Sequence, residues 1–158
     1  MERISHTVAV DVPVTAAYDQ WTQFEDFPRF MEGVEQVVQV DDATTRWQGS
    51  IAGVTREWDA RITQQEPDRL IAWDGFGGPD NRGLVEFRPL AATATEVTVT
   101  MEWEPEGAME KLGDALGIVS GRIEGDLQRF KGFIEERGVP TGGWRGQIPQ
   151  DDAGITNR

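Results

Sequence analysis

Arg56 is the residue whose placement points most directly to chemistry. It shares one face of an alternating run with Val54, Trp58, Ala60 and Ile62, while Thr55, Glu57, Asp59 and Arg61 take the other. A guanidinium is always charged and carries five donors, so on an apolar face it needs an acceptor. A protein carboxylate such as Asp74, a ligand oxygen, or escape of the head group to water at the strand end would each satisfy it. Pointing inward, it would fix a carbonyl, quinone or carboxylate oxygen.

Other reactive candidates are few. His6, the chain's one histidine, falls on the apolar phase of Ile4, Val8 and Val10. It reads either as a general base or as a structural ring held by a hydrogen bond. Ser5 is next to it, but strand neighbours point to opposite faces, so the two do not form a nucleophile and its base. The absence of cysteine excludes thiolate nucleophiles, disulfides and cysteine-ligated zinc or iron–sulfur sites. Gly75-Phe76-Gly77-Gly78 has a phosphate loop's composition but lies between two strands, with no helix N-terminus and no Lys-Ser/Thr after it. It reads as a hairpin loop. Asp41-Asp42 and Asp151-Asp152 are too sparse for a calcium loop. No catalytic residue, metal or cofactor is expected.

The apolar side is richer. Of 6 tryptophans, Trp47, Trp58 and Trp103 each share a face with aliphatic neighbours, as core filling or as a cavity wall. Gly113, Gly117, Gly121 and Gly125 recur every four residues on the back of a predicted helix. Each costs about 1 kcal/mol relative to alanine. They suit a helix that moves to admit a ligand, close packing against a second chain, or simply a glycine-rich composition.

The elements that must position these residues follow from periodicity. Residues 3–11 alternate as a half-buried strand. Pro13 opens a short helix carrying Ala16, Ala17, Tyr18, Trp21 and Phe24, and Asp26 can cap a second one holding Phe27, Phe30 and Met31. Six strands follow, at about 34–40, 44–51, 54–62, 69–74, 83–88 and 96–103, joined by tight turns as an antiparallel meander. A helix over about 108–137 then carries Leu112, Leu116, Val119, Ile123, Leu127, Phe130 and Ile134 in a stripe roughly 80° wide. Gly138 and Pro140 end it. The domain is expected over 1–138, with 139–158 a flexible tail whose first part Trp144 can pin to the body.

The totals agree with a single small domain. There are 158 residues, 38% of them hydrophobic, with Lys+Arg 15 against Asp+Glu 28 and a net charge of −13. Phosphate binding needs a basic face, so neither nucleic acid nor an anionic membrane suits as a partner. No apolar run approaches the roughly 18 residues of a membrane span, and the N-terminus lacks a signal-peptide stretch. A cytoplasmic location and no integral membrane association are expected; oligomeric state is not readable.

With this element order in view, the chain resembles the START-like (SRPBCC) superfamily. The resemblance is to its polyketide cyclase/dehydrase and lipid-transport branch, which includes coenzyme Q-binding proteins. It rests on Val12-Pro13-Val14, on Asp26-Phe27-Pro28-Arg29-Phe30-Met31 before a valine strand, on Arg56-Glu57-Trp58, and on Arg129-Phe130-Lys131-Gly132-Phe133-Ile134-Glu135 near the end. It spans about residues 3–137. The resemblance implies an α+β helix-grip fold: a curved antiparallel seven-stranded sheet, two short helices and one long C-terminal helix around a cavity. That cavity would hold a hydrophobic small molecule, a lipid, quinone or polyketide. Its expected lining is Arg56, Trp58, Ala60 and Ile62 on one strand, with Trp47, Val34 and Phe30 beside them. Val99 and Met101 join from the last strand, and Leu112 and Leu116 from the helix. Aromatase/cyclase members place a serine and an arginine two and four residues after the tryptophan matching Trp58, and a tyrosine soon after the second helix. Here those places hold Ala60, Ile62 and Val34, so the polar groups of that pocket are missing. The resemblance therefore implies binding or carrying. A cyclase or dehydrase using Arg56 is the alternative, and an interaction module working through the glycine face of the helix a second one.

Overall fold

The computed structural model describes residues 2–51, 54–76, 81–103 and 115–149; the side chains of 2, 51, 54, 103 and 115–119 are outside that description. Seven strands form one antiparallel sheet: β1 (Glu2–Val10), β2 (Val34–Asp41), β3 (Thr44–Ile51), β4 (Val54–Glu66), β5 (Leu70–Phe76), β6 (Asn81–Ala91) and β7 (Ala94–Trp103). Their order is β1-β7-β6-β5-β4-β3-β2. Consecutive strands from β2 to β7 are neighbours, and β1 closes on β7 with Val8 opposite Val97 and His6 opposite Val99. Register breaks between Val34 and Gln36 on β2 and between Ile62 and Gln64 on β4 bend the sheet, as bulges do. The result is the expected helix-grip architecture: a curved sheet with a long helix, α2 (Ala115–Arg137), across its concave side. Residues 108–114, expected to begin that helix, lie outside the described residues.

Alternation places each strand. Val97 and Val99 on β7 are buried, and so are Val8 and Val10 on β1 and Ala60 and Ile62 on β4. On α2 the stripe continues as Leu127, Phe130 and Ile134, all buried. Gly138, at φ +76°, supplies the left-handed residue after the helix, and its N–H donates to the Ile134 carbonyl at 2.8 Å. α2 also covers the β1 edge: Lys131 Nζ donates to the Ala9 carbonyl (3.0 Å), and the Asp11 N–H donates to Glu135 (2.7 Å).

Between β1 and β2 lie α1 (Val14–Trp21) and a short 3-10 helix, Phe24–Arg29. Pro13 stands at the N-cap of α1, with its missing N–H costing nothing there. Asp26 does not cap the second helix, as the sequence suggested. Gln23 holds the N-cap position without a side-chain bond, because the chain enters a tight 3-10 turn three residues earlier than expected. Asp26 instead accepts the Thr141 hydroxyl at 2.6 Å. Trp21, Phe24, Phe27 and Phe30 then pack as one aromatic cluster against Phe130.

After Gly138, residues 139–149 run across α1. Gln20, fully buried, donates to Thr141 Oγ1 (3.1 Å) and accepts the Thr141 N–H (2.9 Å). The Trp144 N–H donates to Thr22, Arg145 pairs with Asp19 and Asp68, and Ile148 exchanges backbone bonds with Gln65. Buried amides otherwise lacking partners make this strap part of the body. Residues 150–158 lie outside the described residues.

Candidate functional site

A cavity of about 190 Å³ lies between the concave face of the sheet and α2. Its walls come from Trp58, Ala60 and Ile62 on β4, Val99 and Met101 on β7, Ile123 and Leu127 on α2, and the Trp21–Phe27 cluster. Among the described residues four tryptophans line it: Trp21, Trp47, Trp58 and Trp73. Trp47 and Trp58 are direct partners across β3 and β4, and their rings stack 5.9 Å apart at 13°. Trp47 is fixed by its Nε1–H, which donates to Thr45 Oγ1 at 2.8 Å. Trp73 lies opposite Gly83 on β6, and its ring fills the space a side chain at Gly83 would need. Glycine at 83 is what lets a fourth indole lie along the wall.

One corner of the wall is polar and charged. Arg122, Asp126 and Arg129 follow one another along one side of α2. Arg122 Nη1 donates to the carbonyls of Glu32 (3.1 Å) and Ser50 (3.0 Å), and its Nε lies 3.8 Å from the Glu32 carboxylate. Asp126 accepts the Glu32 N–H (2.9 Å) and a bond from Arg129, which also donates to the Phe30 carbonyl (3.0 Å). The helix thereby grips the loop before β2 and the end of β3 at the cavity's rim. Gly33 makes the grip possible: at φ +88°, its missing side chain leaves the space that the Arg122 guanidinium occupies. Burial pushes the Asp126 carboxyl up to about 6, against the pull of Arg129, the Glu32 N–H and Arg122.

Of the residues expected to line a site, Trp58, Trp47, Ala60, Ile62, Val34, Val99 and Met101 lie together on this wall. Phe30 does not: it is buried behind the wall, among Trp21, Phe27, Phe130 and Phe133. Leu112 lies outside the described residues, as does the side chain of Leu116; that of Trp103 is likewise not described. Arg56 is half-buried and is not on the wall, and it makes no hydrogen bond or ion pair among the described residues. It stands beyond Trp58 towards the β3–β4 turn, opposite Gly49. Asp74, the suggested partner, is opposite Arg61 and pairs instead with Arg82.

Arg122, Asp126, Glu32 and Trp73 were not expected at the site. The one available signal was the run Arg122, Asp126, Arg129, spaced to share a helix side along the apolar stripe. His6 makes a hydrogen bond with Ser120 across β1 and α2 (2.7 Å) and is not on the cavity wall. Around Gly121, on the helix back, nothing stands within 4 Å of an added side chain. Among the described residues no group of three or more acidic or histidine side chains could hold a metal ion, and no helix is long and apolar enough to cross a membrane.

Comparison with known proteins places this geometry. The family model described as polyketide cyclase / dehydrase and lipid transport matches residues 10–131. An uncharacterised 17.2 kDa protein of Streptomyces lincolnensis, from the melC2–rnhH intergenic region, is 48% identical over 149 residues. That match covers 94% of this chain and 99% of the relative. The structure of DR_A0006 from Deinococcus radiodurans superposes with a TM-score of 0.69 at 28% identity, covering 87% of this chain and 99% of that one. The ZhuI aromatase/cyclase from Streptomyces sp. R1128 gives a TM-score of 0.76 at 19% identity, covering 90% and 99%. A START superfamily protein from Mycobacterium smegmatis gives 0.64 at 17%, covering 80% and 97%. The last two are likenesses of fold.

Proposed function

The chain belongs to the polyketide cyclase / dehydrase and lipid transport family, and we propose that within it this protein binds or carries an apolar, ring-bearing small molecule in the cavity under α2. The observation that carries the reading is the wall itself: four indoles and a set of aliphatic groups around about 190 Å³. An engineered apolar cavity of about 150 Å³ stays dry and admits benzene. This one is larger, and its stacked Trp47 and Trp58 offer a flat aromatic surface to a ring. Transfer of such a molecule from water contributes roughly 25 cal/mol per Å² of apolar surface covered. The polar pocket groups that the aromatase/cyclase resemblance calls for are replaced by Ala60, Ile62 and Val34, which favours carriage over conversion.

A cyclase or dehydrase is the second reading, favoured by Asp126, a wall carboxylate that titrates at about 6 beside the Arg122 guanidinium. A group with that value can exchange protons near neutral pH. Mass spectrometry of a solvent extract of the purified protein tests the first reading. An apolar molecule recovered in near-stoichiometric amount supports it, and an empty extract combined with no uptake of apolar probes overturns it. Under the second reading, a bound polyketone is released lighter by one water, and Asp126→Asn abolishes that loss. Release of every tested polyketone unchanged rules it out.

A further inference from the structure

We propose that Arg122, and not Arg56, is the polar anchor of the cavity, and that it selects a ligand with an uncharged carbonyl oxygen — a ketone, quinone or ester — at one end of an apolar body. The inference rests on the binding reading above and adds to it which atom of the protein holds which atom of the ligand.

Donor accounting comes first. Arg122 lines the cavity, and its Nη1 is committed to the Glu32 and Ser50 carbonyls. These two bonds, with the fit over Gly33, hold the guanidinium plane in one place. Nη2 has no partner among the described residues, so two of the five donors stay available. A fixed guanidinium loses little side-chain freedom on forming a further bond, which is what an anchor requires.

Charge then selects the acceptor. Arg122 and Arg129 are balanced by Glu32 and Asp126, with Glu32 Oε1 3.8 Å from Arg122 Nε and 3.9 Å from Arg129 Nη2, and Asp126 bonded to Arg129. A ligand carboxylate would bring a third anion beside two carboxylates, of which Asp126 is mostly buried and repels it with little screening. A neutral carbonyl accepts the same N–H bonds and leaves the balance intact. The remaining wall is apolar and aromatic, so the carbonyl must belong to an otherwise apolar molecule.

The test uses two probes sharing one carbon skeleton, tetralin and 1-tetralone, titrated calorimetrically into the wild-type protein and into Arg122→Met. Arg122→Met is expected to weaken tetralone binding by about tenfold to a hundredfold, the scale of a hydrogen bond to a charged group. Tetralin affinity should change less than about threefold. Equal loss for both probes, or no loss for either, overturns the anchor. Should the variant not fold, the infrared carbonyl band of tetralone bound to the wild type decides. A band at lower frequency than in hexane supports the bond, and a band at the hexane position overturns it. Tighter binding of the tetralin-1-carboxylate ion than of tetralone overturns the choice of an uncharged oxygen. Failure of tetralin and tetralone alike to bind the wild type overturns the cavity reading itself, and the anchor with it.

Discussion

Gly33 and Arg122, far apart in sequence, occupy a single volume: the guanidinium lies where a β-carbon on Gly33 would be. At φ +88° the position also disfavours any side chain on backbone grounds. Gly33→Ala should therefore cost about 2–4 kcal/mol, combining left-handed strain with loss of the Arg122 bonds to Glu32 and Ser50. Urea denaturation measures this, and a cost under about 0.5 kcal/mol would show that the grip contributes nothing to stability.

Asp126 gives stability a pH dependence of unusual sign for a carboxylate. Its folded value is about 6 against an ordinary 3.8, so the folded state holds the proton more tightly than the unfolded chain. The contribution is full below about 4 and is lost as pH rises through about 6. At about 1.4 kcal/mol per unit the full effect is roughly 3 kcal/mol. Asp126→Asn keeps the acceptor for the Glu32 N–H and cannot ionise. Its stability relative to wild type should improve by about 2–3 kcal/mol between pH 4 and pH 8. A constant difference across that range would contradict the assignment.

The Trp73 ring lies against the bare backbone of Gly83, so Gly83→Ala should push it off that strand and into the cavity. We expect a cost of about 1–3 kcal/mol from overpacking, together with weaker tetralin binding. Calorimetric titration beside thermal melting separates the two. Unchanged tetralin affinity would mean that the indole moves away from the cavity instead.

Thr141→Val tests the strap. The change keeps the size and the backbone bond to Gln20 Oε1, but strips the acceptor from the buried Gln20 amide and the donor from Asp26. A loss of about 1–3 kcal/mol is expected by chemical denaturation. A neutral result would show water replacing Oγ1.

Arg56→Met should leave tetralone affinity unchanged and stability within about 0.5 kcal/mol, as for a residue off the wall and without polar partners among the described residues. A tenfold loss of affinity would return Arg56 to the site.

Arg56 and Arg122 together mark how far the sequence could be read. Alternation put Trp58, Ala60 and Ile62 inward on β4 and Val99 and Met101 inward on β7, and these are the residues on the wall. Periodicity reports which face a side chain takes, but not which members of that face reach a cavity. That distinction cost Arg56 its place. Phe30 has the same limit in a helical setting: its burial was legible, but which aromatic ring would be wall and which core depends on how α1 and α2 meet. Arg122 was hidden for another reason. Its partners, Glu32, Gly33 and Ser50, come from a loop and a strand end that only the finished fold brings beside the helix. Asp126 acquires its titration from the same assembly, since in the isolated helix nothing would desolvate it.

The pairing of β1 with β7 also bears on how the chain comes to its fold during synthesis. Every junction from β2 to β7 is between strands adjacent in sequence, so those hairpins can form as they are made. The β1 junction is different, since Ser5 faces Thr100 and must wait for nearly the whole sheet, with the larger closure entropy of a long loop. α2, which covers the β1 edge and roofs the cavity, comes later still. At roughly 5–20 residues per second, the stretch from Trp103 to Arg137 takes a few seconds to translate. For that interval the nascent sheet shows its tryptophan-lined face to solvent or to a chaperone, and an apolar molecule can reach that face without passing the Arg122 grip.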